Sequence, residues 1–229
     1  MRRIIVATFT SLDGVMQAPG GPEEDPTGGF ALGGWTAPLF DEALGASLGE
    51  IFGRPFDLLL GRKTYDIFAA HWPYAEGGPD DEIAKQFNRI TKYVATRKGA
   101  DLTWKSSVAL RDAAKDVAKL KQENGPALLT QGSTELVHAL LAAGLVDEIR
   151  TFTFPLVLGK GKRLFGDDGE PRAFRLTHSA VSPNGLIAAT YMRDGEVKTA
   201  TISGANEPSA AELARREKLK REDSYPRGG

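Results

Sequence analysis

Residues 126–145, PALLTQGSTELVHALLAAGL, decide the fold class of this chain. The short apolar run 127–130 predicts a buried strand. Gly132 interrupts the run, and Ser133 or Thr134 supplies a hydroxyl that can cap a following helix. Leucine and valine then recur at helical spacing until a glycine ends the pattern. The stretch therefore predicts a strand, a glycine turn and a helix in immediate succession.

Such a turn places free backbone amides and the positive end of a helix dipole at the carboxyl end of a strand. Anions bind readily at that position, and phosphate is a frequent ligand there. An ordinary strand-to-helix connection with no ligand would have the same local sequence. This stretch alone leaves both interpretations open.

Composition excludes several classes of protein. Among 229 residues, 41% are hydrophobic and 26% are charged, which is sufficient for a sizeable core. The net charge of −1 argues against nucleic acid or an acidic membrane surface as a partner. No apolar run is long enough to span a bilayer, and the start of the chain leads into a strand rather than a signal peptide. We therefore expect a soluble, cytoplasmic protein.

The absence of cysteine excludes disulfides, thiolate nucleophiles and sulfur-ligated metals. His71, His138 and His178 are far apart and lack ligand spacing, so we expect no metal site. A small-molecule ligand is the expected partner, and a homodimer is possible.

Strand and helix signals alternate through about residue 150, and strand signals alone follow. Strands are predicted at 3–10, 56–60, 92–96, 102–104, 147–154, 173–182 and 186–193, with a short one at 196–202. Helices are predicted from Thr36, over 64–70 and 81–90, and over 108–123. This order predicts an α/β fold whose mostly parallel sheet has helices on both faces and an antiparallel hairpin at one edge. Residues 1–202 form the expected domain, and 203–229 a charged tail that is partly helical or disordered.

Three predicted strand ends carry residues suited to a phosphorylated ligand. The first is Gly61-Arg62-Lys63-Thr64, the second Thr96-Arg97-Lys98, and the third Gln131-Gly132-Ser133-Thr134. Ligands of open α/β sheets collect at the carboxyl ends of strands, and guanidinium groups hold phosphate through paired hydrogen bonds. The Walker loop and the dinucleotide fingerprint are both incomplete in this chain, so neither of those folds is favoured.

Six motifs occur together in an order that resembles a known family. They are SLDG at 11–14, LLLGRKTY at 58–65, Thr96-Arg97 at a strand end, LLTQGS at 128–133, LVDE at 145–148 and PLVLGKG at 155–161. The chain resembles the dihydrofolate reductase superfamily, in the branch similar to the C-terminal reductase domain of the bifunctional riboflavin-biosynthesis deaminase/reductase. The resemblance covers residues 3–194 and implies a three-layer sandwich with about eight strands.

The resemblance implies NADPH as cofactor. Gly61, Arg62, Lys63 and Thr64 match the segment that wraps the pyrophosphate and the adenosine phosphate, and Thr96 and Arg97 match the positions around the 2′-phosphate. The turn at Gln131, Gly132, Ser133 and Thr134 matches the family's Gly-Gly turn, although Gln131 replaces its first glycine. That replacement could change the fit of the cofactor.

The substrate side is less clearly marked. Asp13 and Gly14 match the turn near the nicotinamide and the substrate, and a Gly- and Pro-rich segment at 17–34 is predicted to be a lid. In folate reductases an acidic residue of the first helix holds the pterin. The helix after Trp35 offers Asp41 and Glu42 for this role, and Asp41 has the better position. Asp41 and Asp13 are therefore the predicted catalytic residues, with Gly14 and Trp35 at the substrate.

Two function classes follow from these observations. The first is an NADPH-dependent reductase that transfers hydride to a small heterocycle or imine. Its acceptor could be 5-amino-6-(5-phosphoribosylamino)uracil of riboflavin biosynthesis or a pterin-like compound. The second class is a nucleotide-binding protein of the same fold without turnover, because fold does not fix function.

Overall fold

Alternating strands and helices build the N-terminal unit of the chain, Met1–Glu196. In the computed structural model, residues 1–97, 101–166, 169–201 and 207–223 are described. The strands are β1 (Ile4–Ser11), β2 (Phe56–Gly61), β3 (Lys92–Ala95), β4 (Ser107–Leu110), β5 (Ala127–Gln131), β6 (Glu148–Phe154), β7 (Phe174–Val181) and β8 (Ile187–Arg193). The helices of this unit are α1 (Glu42–Phe52), α2 (Arg62–His71), α3 (Asp81–Arg89), α4 (Ala113–Gln122) and α5 (Thr134–Ala142).

The strands form one eight-stranded sheet in the order β4-β3-β2-β5-β1-β6-β8-β7. Neighbouring strands from β4 to β6 run parallel, whereas β8 pairs antiparallel with β6 and with β7. The predicted α/β fold, with a mostly parallel sheet and a C-terminal hairpin at one edge, is confirmed.

The central strands are buried on both faces. In β2, Leu58 and Leu60 contribute to one apolar cluster and Leu59 to the other, and all three have no exposed surface. Because successive side chains of a strand point to opposite faces, the two clusters lie on opposite sides of the sheet. This arrangement confirms the three-layer sandwich and explains the run of three leucines in β2.

Two buried cations fix the starts of strands. Arg2 lies 2.5 Å from the Asp57 carboxylate and donates to the Pro126 carbonyl at 2.8 Å, so it links the beginnings of β1, β2 and β5. Lys92 donates to three carbonyls at the end of α3, those of Phe87, Asn88 and Ile90. Burial lowers the pKa of Lys92 to about 8.

The structure corrects four boundaries expected from sequence. Residues 107–110 form β4 beside β3, so the helix expected over 108–123 begins only at Ala113. The strand expected at 102–104 is absent, and residues 196–201 contain no strand, while Ile202 lies outside the described residues. Thr36 precedes a 3-10 turn instead of capping the first helix, a role taken by Asp41.

The C-terminal unit, Val197–Gly229, contains one helix in its described part, α6 (Ala210–Asp223). The side chains of α6 are mostly charged and, where described, mostly exposed, with i,i+3 and i,i+4 ion pairs such as Glu212 with Arg215 and Arg216. The domain limit at residue 202 remains a prediction.

Candidate functional site

A large cleft lies where the parallel strands end, as expected for an open α/β sheet. Its volume is about 1420 Å³. Its lining residues come from the ends of β2 to β5, from β1 and β6, and from the helices α1 to α5. The segment 16–25 and the residues Phe40, Trp72, Asp80 and Lys162 complete the lining. All ten residues predicted to bind the cofactor line this cleft: Gly61, Arg62, Lys63, Thr64, Thr96, Arg97, Gln131, Gly132, Ser133 and Thr134.

Three helix N-termini meet the cleft, because the N-cap residues of α2, α4 and α5 all line it. The Asp112 carboxylate caps α4 by accepting from the Lys115 amide at 3.1 Å. In contrast, Gly61 offers α2 no side chain, and Ser133 makes no capping bond within α5. The first-turn amides of α2 and α5 therefore lack a side-chain acceptor, which is the arrangement that suits an anionic ligand.

The turn after β5 is held in an uncommon conformation. Gly132 and Ser133 both have positive φ, 65° and 60°. The Ser133 hydroxyl accepts from the Gly61 amide at 2.9 Å, and the Ser133 amide donates to the Thr64 hydroxyl at 3.1 Å. These two bonds offset the strain of a left-handed serine, which costs about 1–2 kcal/mol. The turn thus joins the starts of α2 and α5.

The replacement of the family's first glycine is accommodated by the same geometry. Gln131 is the last residue of β5 and pairs with Ala7 of β1. The positive φ values fall on the two residues that follow it, so Gln131 keeps an ordinary strand conformation. Its side chain introduces no backbone strain into the turn.

Cations gather at the ends of β2, β3 and β4. Arg62, Lys63, Arg97 and Arg111 line the cleft, and all four are exposed. Arg62 forms an ion pair of 2.8 Å with Asp66 one turn further along α2. Arg111 was missed by the sequence interpretation, which placed it inside a helix, whereas it directly follows β4. Lys98 lies outside the described residues.

The remaining part of the cleft wall is largely apolar. It is formed by side chains of α1 (Leu48, Phe52), α2 (Ile67, Phe68), α3 (Ile83, Phe87), β1 (Phe9) and β6 (Phe152), together with Phe40 and Trp72. Neighbouring rings are in contact, with centroids 5.5 Å apart for Phe9 and Phe152 and 4.8 Å apart for Trp72 and Phe87. The signal in the sequence is the i,i+4 spacing of Leu48 and Phe52, which also fits ordinary packing.

Residues 17–25 of the predicted lid line the cleft, and hydrogen bonds and an ion pair hold this segment in place. The Gln17 side chain donates to the carbonyls of Asp25 and Thr27 at 2.9 and 2.8 Å, and the Lys162 ammonium pairs with the Asp25 carboxylate. Glu24 is half-buried and accepts from the Gly20 amide at 2.5 Å. Burial raises the pKa of Glu24 above its ordinary value. Sequence reasoning did not select Glu24.

Asp13 does not line the cleft. Its carboxylate accepts from the Ser11 hydroxyl at 2.6 Å and from the amides of Leu158 and Gly159 at 3.0 and 2.9 Å, and Arg163 lies 3.4 Å away. The Ser11 hydroxyl first, and then the Leu158 amide, hold the pKa of Asp13 well below its usual range. Asp13 therefore fastens the loop after β6 to the end of β1. Gly14, with φ 78°, completes the turn.

Asp41 and Trp35 also lie outside the cleft lining. Asp41 caps α1 by accepting from the Leu44 amide at 2.9 Å, a bond that lowers the pKa of Asp41. The Ser182 hydroxyl is close enough to lower that pKa further, although the two side chains do not meet at hydrogen-bonding geometry. Trp35 is buried under the lid, donating to the Gln17 carbonyl at 2.8 Å. The structure thus separates these predicted substrate residues from the ten that line the cleft.

Comparison with known proteins identifies the family. The sequence profile of the RibD C-terminal domain matches residues 2–188. The chain belongs to the RibD C-terminal domain family. It is 26% identical over 200 residues to the uncharacterized protein YyaP of Bacillus subtilis (strain 168), an alignment that covers 85% of this chain and 96% of YyaP. The predicted resemblance is confirmed.

Solved structures of low identity share the RibD C-terminal fold. Dihydrofolate reductase from Enterococcus faecalis, complexed with NADP(H) and RAB-propyl, superposes with a TM-score of 0.53 at 13% identity, covering 84% of this chain and 96% of that one. The deaminase and 5-amino-6-(5-phosphoribosylamino)uracil reductase of Thermotoga maritima gives 0.53 at 12% identity, covering 84% and 57%. Membership and fold together support a reductase of this family.

Among the described residues, none of the helices has the length and apolar composition that a membrane span requires. No group of three or more histidine, aspartate or glutamate side chains in the same residues could hold a metal ion.

Proposed function

We propose that this protein is an NADPH-dependent reductase that transfers hydride to a small heterocyclic or imine acceptor. The observation that supports the proposal is the division of one continuous cleft. One part has cations and uncapped helix N-termini, and the other has apolar side chains. A dinucleotide needs the first part for its phosphates, and a flat acceptor ring needs the second.

The residues of the first part fit NADPH. The free amides at the starts of α2 and α5 would hold the pyrophosphate, and Thr64 and Ser133 fix the turn that presents them. Arg97 and Arg111 at the ends of β3 and β4 would meet the 2′-phosphate. Pockets for one drug-sized ligand have volumes of roughly 300–1,000 Å³, so the 1420 Å³ cleft has room for a dinucleotide and an acceptor.

Bound NADPH would supply the hydride, and the protein would align the acceptor and manage one proton. The lid places the half-buried Glu24 on the cleft wall, where burial favours its protonated form. A carboxyl group of raised pKa can donate a hydrogen bond or a proton to a polar ring atom. Glu24 is therefore a better candidate for this role than Asp13, whose carboxylate is held ionised by its donors.

Titration of NADPH and NADH by fluorescence tests the proposal. A charge-assisted hydrogen bond is worth about 1.5–3 kcal/mol, less where solvent reaches it, so NADPH should bind at least about tenfold more tightly. Arg97→Ala should reduce that preference. Arg175→Ala, an exposed arginine on β7, is the matched control and should leave the preference unchanged.

Equal affinities of wild type for the two cofactors, or an undiminished preference in Arg97→Ala, would contradict the assignment. Turnover is measured separately, as NADPH oxidation with a panel of pyrimidine and pterin acceptors. Tight NADPH binding without oxidation by any acceptor would favour a nucleotide-binding role instead.

A further inference from the structure

The helix α2 passes from the cationic part of the cleft to the apolar part. On α2, Arg62 and Lys63 open the first turn, whereas Ile67 and Phe68 line the cleft in the next. At a rise of 1.5 Å per residue, Lys63 and Phe68 are roughly 8 Å apart along the helix axis. The wall therefore changes from cationic to apolar within one to two turns.

Three helices supply the apolar wall, and two of them, α1 and α3, do so at the spacing that puts side chains on one face. Leu48 and Phe52 are four residues apart on α1, and Ile83 and Phe87 are four apart on α3. The fully buried Phe87 stacks behind the half-buried Phe68, with ring centroids 6.0 Å apart, so it supports the wall from within. The partly exposed apolar side chains offer a ring contact surface with few hydrogen-bonding groups.

Charged groups on the rest of the wall are mainly acidic. The lid contributes Glu23, Glu24 and Asp25. Among the described lining residues away from the ends of β2, β3 and β4, the groups that can be cationic are Lys162 and the exposed His71. Lys162 pairs with Asp25 and also donates to a threonine hydroxyl at 3.0 Å. A phosphate on the acceptor would compete with the Asp25 carboxylate for a lysine that already has partners.

A phosphate monoester carries almost two negative charges and needs several strong donors. Placing it against apolar rings and carboxylates leaves a desolvated charge without partners, which is strongly unfavourable. An uncharged ring loses little on leaving water and gains contact with the aromatic wall. The charge of the wall thus discriminates between two kinds of acceptor.

We propose that the acceptor of this protein is an uncharged, flat, unsaturated ring that carries no phosphate, bound between α1, α2 and α3. This proposal rests on the proposed reductase function and names its substrate class. It separates this protein from the Thermotoga maritima enzyme, whose named substrate is a phosphoribosylaminouracil.

Two matched pairs of probes test the proposal by calorimetric titration. The first pair is 7,8-dihydroneopterin and its 3′-monophosphate, and the second is 5-amino-6-(ribosylamino)uracil and the same compound phosphorylated at the 5′ position of its ribose. In each pair that binds, the uncharged member should bind at least tenfold more tightly. Equal or tighter binding of a phosphorylated member, or no binding by either uncharged member, would overturn the proposal.

Each titration is run on the cofactor-free protein and on protein saturated with NADPH, so that the two proposals can fail separately. Absence of NADPH binding would refute the reductase function. The probe titrations of the cofactor-free protein would still report on the apolar wall.

Variants at equally exposed apolar residues locate the site. Phe40 lines the cleft and is 51% exposed, whereas Leu176 on β7 is 50% exposed and lies outside the lining. Phe40→Ala should weaken binding of the uncharged probes at least threefold and leave NADPH affinity unchanged, and Leu176→Ala should change neither. Phe40→Arg should raise the relative affinity for the phosphorylated members. Identical behaviour of Phe40→Ala and Leu176→Ala would contradict the placement.

Discussion

Replacing Asp13 by asparagine tests whether its carboxylate has a structural or a catalytic role. Asp13 Oδ1 accepts from the Ser11 hydroxyl and the Leu158 amide, and Oδ2 accepts from the Gly159 amide. Asparagine has the same shape but only one acceptor oxygen. One of the two backbone amides would therefore face an NH₂ group. We expect the loop after β6 to lose part of its attachment to β1.

The size of the effect follows from these contacts. A hydrogen bond to a charged group contributes roughly 1.5–3 kcal/mol, and an unpaired buried donor costs a similar amount. The Asp13 side chain is 20% exposed and Gly159 is exposed, so water can partly replace the lost acceptor. We therefore expect Asp13→Asn to lower the free energy of unfolding by about 1–2 kcal/mol at pH 7.

The pH dependence has a definite sign. The pKa of Asp13 in the folded protein lies below its ordinary value of 3.8. The stabilisation is therefore complete above pH 3.8 and is lost as the pH falls through the lower folded value. The difference in stability between wild type and Asp13→Asn should stay constant from pH 5 to pH 8 and shrink in stronger acid.

Urea unfolding followed by tryptophan fluorescence measures both quantities, and NADPH titration and turnover are measured on the same samples. Asp194→Asn, at an exposed position, is the control and should change stability little. Unchanged stability of Asp13→Asn together with lost turnover would refute this reasoning and make Asp13 a catalytic residue.

Three further variants and one matched control test the remaining parts of the site. Gly132→Ala and Gly144→Ala place alanine at nearly equal φ, 65° and 64°, so each should lose about 1–2 kcal/mol of stability. Only Gly132→Ala should weaken NADPH binding, by tenfold or more. Equal NADPH affinities of the two variants would show that the phosphates do not bind at the Gly132 turn. Because the pKa of Glu24 is raised, its ionised form destabilises the fold above its ordinary pKa of 4.5. Glu24→Gln should therefore raise the melting temperature at pH 7 but not at pH 4, and lower turnover at least tenfold; unchanged turnover would contradict its role. Asp41→Asn should keep turnover within about threefold, because asparagine caps helices as well as aspartate does. Lost turnover with intact NADPH binding would instead assign Asp41 to the mechanism.

The cationic part of the cleft could be predicted because its residues immediately follow apolar strands. Gly61 ends β2, Thr96 follows β3 and Gln131 ends β5. Parallel strands bring their carboxyl ends to one edge of the sheet, so local sequence is enough to place such residues together. The ten predicted residues that line one cleft all belong to this category.

Residues 107–110 show where local pattern fails. Leu110 fits the inward face of the helix predicted over 108–123, but its strand pairs with β3, and Leu110 is buried against the sheet. Tertiary pairing overrides helical propensity here, and the Asp112 side chain then starts α4. The misplaced boundary concealed Arg111, whose position depends on β4 being a strand.

The carboxyl group on the substrate side of the cleft could not be predicted, for a different reason. A carboxylate at a helix start or in a tight turn resembles a catalytic group in sequence, but backbone amides compete for it once the chain folds. Asp13 and Asp41 each accept from backbone amides, and the pKa of each is lowered. For Glu24, burial outweighs the Gly20 amide, so its pKa is raised instead. A group that must hold or protonate an acceptor needs a raised pKa, which arises where burial outweighs the hydrogen bonds to the ionised form. For Glu24 this burial comes from the lid, and no spacing in the sequence predicts it.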